Sequence, residues 1–348
     1  MAERHEIKGL DTLRFVAAAT VALSHGAGFP VAETIGKHGA IARAITGLYG
    51  LSFNGVAAVL VFFVISGFCI HHGPATGAPF RILPFWTRRG VRIAGPLIGA
   101  LLLSQLLGAP AQAALGAVLW SVYCELIYYA VYPVLRIGFA RIGVRGVLAV
   151  SSLISVVMIG FGWDARYYWN FPIWLTWILA APAWLLGCLL AEQVARGLRA
   201  PRLGGIWTWR LLVWGFATVE LAVFFHAPVP IGHPAMLFPF QWLAYAWILA
   251  EIGHFEQTRV SPFMEWCGRW SYSLYLIHNM AIAVAPLSPA APVEGWLMRL
   301  TLAVGGSLAF YFVVEAPSHW AARTASRKLT SLLPKPKSAP ASPQLASS

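Results

Sequence analysis

The chain has 348 residues, of which 58% are hydrophobic and only 11% charged, and its formal net charge is +12. Soluble domains carry about a quarter charged residues, so this composition excludes an ordinary soluble protein and points to a membrane. The basic residues sit in short clusters between apolar runs, which argues against a nucleic-acid binder. The four cysteines (Cys69, Cys124, Cys188, Cys267) show no CxxC spacing and suggest neither a metal site nor a disulfide framework.

Apolar segments near 10–27, 51–70, 91–109, 113–135, 146–163, 171–191, 206–225, 235–253, 270–287 and 296–314 are each long enough to cross a bilayer core at about 20 residues. They predict an all-α integral membrane protein of about ten transmembrane helices. The 16 tryptophans suit anchoring at two lipid–water interfaces. With the N-terminus inside, 20 of the 25 Lys and Arg fall on the inner side. Only Lys37, Arg43 and Arg166 fall outside, and Arg14 and Arg299 lie within helices. Positive residues stay cytoplasmic, so both termini are expected there. The first segment is read as retained, because it carries internal charges and lacks a good signal-peptidase site. Residues 1–320 form one expected membrane domain. Residues 321–348, ending in "LLPKPKSAPASPQLASS", read as a basic cytoplasmic tail expected to be disordered.

Taken in chain order, five stretches carry polar groups that lipid does not tolerate freely. In "DTLRFVAAATVALSH" Arg14 and His25 are eleven residues apart. On a regular helix that spacing leaves them about 20° apart in azimuth and about 16 Å apart along the axis. Asp11 can pair with Arg14, which leaves two readings: a structural bridge with an interfacial histidine, or a polar face lining a passage across the bilayer. In "VFFVISGFCIHH" Ser66 and Gly67 interrupt a bulky helix, as close helix packing requires. "FWTRRGVRI" places Arg88, Arg89 and Arg92 at the start of a helix. They obey the positive-inside bias, and the i, i+4 fork of Arg88 and Arg92 also suits phosphate groups.

In "LWSVYCELIYYAVY" Glu125 stands in an apolar helix with Ser121 one turn before it and Trp120 at the outer interface. It reads either as a neutral carboxyl or as a carboxylate orienting an imidazole or a sugar hydroxyl. In "CGRWSYSLYLIHNM" Ser271, Tyr275 and His278 share a helix face, as interhelical glue or as a cavity wall. Glu220 and Glu315 read as structural.

Together these stretches resemble the acyltransferase 3 family of bacterial membrane proteins over residues 7 to about 318. The R-x10-H motif falls on Arg14 and His25, FFxxSG on Phe62, Phe63, Ser66 and Gly67, and RRxxR on Arg88, Arg89 and Arg92. WSxxxE is Trp120, Ser121 and Glu125, SYSxYxxH runs from Ser271 to His278, and "VVEAP" closes the pattern at 313–317. Where many relatives have adjacent Glu-Glu, this chain has "VYCE", with one carboxylate.

The resemblance implies transfer of an acyl group, commonly acetyl, from cytoplasmic acyl-CoA to a hydroxyl of an extracytoplasmic carbohydrate. The acceptor would be a surface polysaccharide, peptidoglycan or a lipid-linked glycan, and the setting a bacterial inner membrane. No bound cofactor, metal or nucleic acid is expected, because a thioester donor needs only a base or a nucleophile. On this view His25 is the base, and Glu125 orients it or the acceptor. Arg14 holds the donor or developing charge, and Arg88, Arg89 and Arg92 bind CoA phosphates. Ser66, Trp120, Ser121, Ser271, Tyr275 and His278 line the substrate path. Two other readings are a glycolipid transporter or flippase, which would move substrate unchanged, and a scaffold, which would tolerate loss of His25 and Glu125.

Overall fold

Lipid offers no hydrogen-bond partner to a bare backbone, so long runs of Leu, Val, Ala, Phe and Trp must close their amide bonds within helices. The computed structural model describes residues 7–35, 39–108, 111–162, 165–199, 204–228, 231–285 and 291–333, the side chains of 111–114 excepted. These residues are all-helical. In order the helices are α1 (Leu10–Ala22), α2 (Val31–Ile35), α3 (Ala40–Leu51), α4 (Gly55–Ala75), α5 (Ile82–Leu106), α6 (Ala111–Phe161) and α7 (Ile173–Ala195). Then follow α8 (Ile206–His226), α9 (His233–Gln257), α10 (Pro262–Arg269), α11 (Ser271–Val284), α12 (Pro292–Phe310) and α13 (Ala316–Leu332).

Each of the ten predicted apolar segments falls on a helix. Two of them share α6, which turns at Gly143, where φ is 72° and ψ 164°. Six helical stretches among the described residues have the length and hydropathy to cross a membrane. The first and ninth segments form shorter helices: α1 has 13 residues, extended by a wider π-type turn over Leu23–Ala27, and α11 has 14. Both are below the ~20 residues of a full span.

Helices α4 and α7 are apolar on all sides and form the centre, as expected for helices without a polar face. They cross where Gly67 of α4 meets the Trp184 carbonyl and Gly187 of α7 meets the Val64 carbonyl. A Cβ at either glycine would run into the other backbone. Without a solvent-driven hydrophobic force in lipid, such small-residue crossings gain dispersion contact from close approach. Around this pair, α1 packs on α4, α10 and α11, α6 on α7 and α11, and α5 on α13.

Asn54 caps α4 by accepting the Ala57 N–H at 2.9 Å, and its amide donates to Glu220 at 2.6 Å. The other Glu220 oxygen meets His233 Nδ1 at 2.7 Å. Glu220 thus ties α4, α8 and α9 together, and each buried polar group in the network has a partner. The expected tail needs correction at its start, because residues 321–332 continue α13. That helix docks along α5: Ser318 donates to the Val91 carbonyl at 2.8 Å, Ser326 to Pro84 at 2.9 Å, and Arg81 reaches the Thr330 carbonyl at 2.8 Å. Residues 334–348, with most of the predicted tail, lie outside the described residues.

Candidate active site

At the end of α1 the π-type turn changes the helical phase, and Gly26 at φ 105° then breaks the helix directly after His25. His25 is half-buried, and its Nδ1 lies 2.9 Å from Nε2 of the fully buried His278. The two rings are parallel within 2° with centroids 5.2 Å apart, so they meet edge to edge. His278 Nδ1 faces the carbonyls of Tyr275 at 2.9 Å and Leu274 at 3.0 Å. A carbonyl can only accept, so in a neutral His278 ring Nδ1 carries the proton and Nε2 is the acceptor. His25 Nδ1 must therefore donate, which leaves the lone pair of neutral His25 on Nε2.

One turn before His278, the Tyr275 hydroxyl lies 2.5 Å from Ser121 Oγ, and Ser121 donates to the Val118 carbonyl at 2.9 Å. Trp120 beside it is buried and stacks on Tyr168 with centroids 5.5 Å apart. Glu125, one turn further along α6, accepts from Ser66 Oγ at 2.7 Å and from the Tyr129 hydroxyl. The Trp184 indole donates to the same Ser66 at 3.3 Å. Glu125 is thus held between α4, α6 and α7, and the ring partner of His25 is His278 rather than Glu125.

Below this level come the arginines. Arg14 donates to Asp11 at 2.5 Å and to Cys69 Sγ at 3.0 Å. Arg89 reaches the Cys69 carbonyl at 3.5 Å, lies over the Tyr129 ring at 5.8 Å, and keeps a buried Nε without a partner among the described residues. Arg88 and Arg92 are half-buried on the same helix, and Arg92 lies within Coulombic reach of both Arg14 and Arg89. Ser271 stands apart, donating to the Gly268 carbonyl at 2.7 Å near the start of α11. Its neighbour Ser273 binds Glu315 through both N–H, at 3.0 Å, and Oγ, at 2.5 Å.

The result is a column of polar side chains on α1, α4, α5, α6 and α11, cationic at one end and carrying an imidazole pair at the other. A model of the acyltransferase domain matches residues 7–316, nearly the whole chain. The chain belongs to the acyltransferase 3 family. Neither the curated proteins nor the solved structures give a match.

In this membrane acyltransferase, the predicted residues His25, Ser121, Tyr275 and His278 come together, as do Ser66 with Glu125 and Arg14 with Arg89. Sequence reading missed Tyr129 and Arg299. Tyr129 sits at i+4 from Glu125, a spacing that was available. Arg299 of α12 donates to the Ala285 carbonyl at 2.5 Å and the Gly26 carbonyl at 3.4 Å, while Trp296, one turn earlier, donates to Ala27 at 3.1 Å. Those carbonyls close the helices that carry His278 and His25, where the helix dipole is negative and favours a cation.

Proposed function

We propose that this acyltransferase moves an acyl group, with acetyl as the first candidate, from cytoplasmic acyl-CoA to a hydroxyl of an extracytoplasmic carbohydrate. We further propose ten spans, both termini in the cytoplasm, and a bacterial inner membrane. The observation that carries the reading is the His25–His278 pair at one end of a polar column whose other end is a cluster of arginines. A long thioester donor and a hydroxyl acceptor approaching from opposite sides require such a column.

In the proposed reaction the acyl-CoA phosphates rest on Arg88, Arg89 and Arg92, and Arg14 steadies the arm that enters between α1 and α4. Glu125, fixed by Ser66 and Tyr129, orients that arm within the passage. His25 Nε2 takes the proton of the acceptor hydroxyl as its oxygen attacks the thioester carbonyl. The tetrahedral oxyanion collapses, the C–S bond breaks, and the CoA thiolate leaves and takes up the proton from His25. His278 accepts from His25 Nδ1 throughout, which holds the ring in the tautomer that can act as a base. Trp120, Ser121 and Tyr275 shape the acceptor side.

The test is transfer of label from radiolabelled acetyl-CoA into extractable membrane material, using vesicles with equal amounts of wild type or His25→Ala. General-base loss predicts a fall of about 100-fold or more in rate. Equal transfer by both proteins would remove His25 from the chemistry.

A further inference from the structure

Two stretches place charge in apolar surroundings away from the column. In "YYAVYPVLRIG" Arg136 follows Tyr132 by one turn, and in "GCLLAEQVARG" Glu192 and Arg196 are an i, i+4 pair. The fold brings both to the end of α4, two residues beyond the carbonyl of Cys69 that Arg89 approaches. There a cavity of about 400 Å³ is lined by His71, Arg136, Phe139, Glu192 and Arg196.

The groups in this cavity are only partly satisfied by one another. His71 Nδ1 bonds the Tyr132 hydroxyl at 2.9 Å, while its Nε2 stands 3.8 Å from Glu192, beyond hydrogen-bond range. Arg196 reaches Glu192 at 3.1 Å. The guanidinium of Arg136 lies over the Phe80 ring, 4.4 Å from its centroid, and has no carboxylate partner among the described residues. A carboxylate among the cations disfavours a bare inorganic anion. The same set suits a ligand with a phosphate, an amine donor and a flat ring, and the volume lies in the range of small-ligand sites.

The cavity is also joined to the arginine motif. Phe80 meets Phe85 at 5.1 Å and Tyr132 at 5.4 Å, Phe85 meets Tyr129 at 6.4 Å, and Arg89 lies over Tyr129. Arg136 and Arg89 thus flank one continuous group of aromatic rings, as two contact points for a single extended ligand would.

We propose that this cavity receives the adenosine 3′-phosphate end of the acyl-CoA donor. Arg136 and Arg196 take the 3′-phosphate, Glu192 accepts the exocyclic amine of the adenine, and Phe139 lies along the ring. This assignment rests on the acyl-CoA reading above, and it divides the donor's phosphates: the diphosphate stays on Arg88, Arg89 and Arg92, and the 3′-phosphate moves to the new nucleotide site.

The experiment follows transfer into extractable membrane material from two donors, acetyl-CoA and S-acetyl-4′-phosphopantetheine, in vesicles that carry full-length wild type, Arg136→Ala or Glu192→Gln. The nucleotide site predicts a KM for acetyl-CoA raised about tenfold or more in Arg136→Ala, and less in Glu192→Gln, given the strength of charge-assisted bonds. KM for the truncated donor should stay within about twofold in both variants, on the same principle that bonds the donor cannot make cost it nothing. A parallel rise for both donors, or none for either, overturns the nucleotide assignment and leaves the donor reading intact. Wild type that transfers from neither thioester overturns both. Binding of adenosine 3′,5′-bisphosphate to wild type, measured by calorimetry and competed by acetyl-CoA, tests the site independently of how the variants fold. Absence of that binding also overturns the assignment.

Discussion

For the individual residues, the proposed chemistry turns on which nitrogen of His25 is free. Two carbonyls fix the proton of His278 on Nδ1, and His278 then fixes that of His25. Removing His278 should leave His25 present but without its tautomer constraint. His278→Ala is expected to lower kcat about 10- to 100-fold with the donor KM within about twofold, by analogy with other oriented histidine bases. His278→Gln, whose amide oxygen can still accept, should retain more activity. An unchanged kcat in His278→Ala would show that the pair does not serve the base. The pairing itself was not legible in the sequence. The Arg14–His25 spacing and the hydroxyl-rich face around His278 stood out as polar interruptions of apolar runs, but these two histidines are 253 residues apart. No local periodicity encodes a contact of that separation. The π-type turn after Ala22 was not legible either, since no local sequence pattern marks it.

At the scale of elements, two devices position the site. The first is the crossing of α4 and α7 at Gly67 and Gly187, which brings Ser66 and Trp184 beside Glu125. Gly187→Val should force the helices apart and cost about 1–3 kcal/mol or more, the usual range for overpacking. Thermal melting in detergent would show it as a lowered Tm, and a wild-type Tm would contradict the close crossing. The second is Arg299, which ties the carbonyl ends of the helices bearing His25 and His278. Arg299→Ala is expected to reduce kcat about tenfold while leaving the acyl-CoA KM unchanged, and Arg299→Lys to recover part of the loss by restoring a cation at the helix ends. A rise in acyl-CoA KM instead would place Arg299 on the donor path. The apolar segments themselves were readable from hydropathy. The extent of α13 was not, because residues 321–332 are polar and lie next to a Pro-rich stretch. They continue a helix that docks on α5 through Ser318, Ser326 and Thr330.

For the molecule as a whole, the proposed transfer requires the arginine end and the histidine end to face opposite compartments. In the proposed topology, which follows the basic-residue asymmetry, α2 lies outside and the end of α13 inside. In intact spheroplasts, Thr34→Cys should react with a membrane-impermeant maleimide, and Ser331→Cys should react only after the membrane is opened. The reverse pattern would invert the topology and separate the arginines from cytoplasmic donor. Acyl transfer to a surface carbohydrate is measured most directly by mass spectrometry of cell-surface glycans from three strains: a deletion, the wild type, and His25→Ala expressed at equal level. One acyl mass present on a glycan in the wild type is expected to be missing from both the deletion and the variant. An identical glycan profile in all three strains would contradict acyl transfer to a surface carbohydrate.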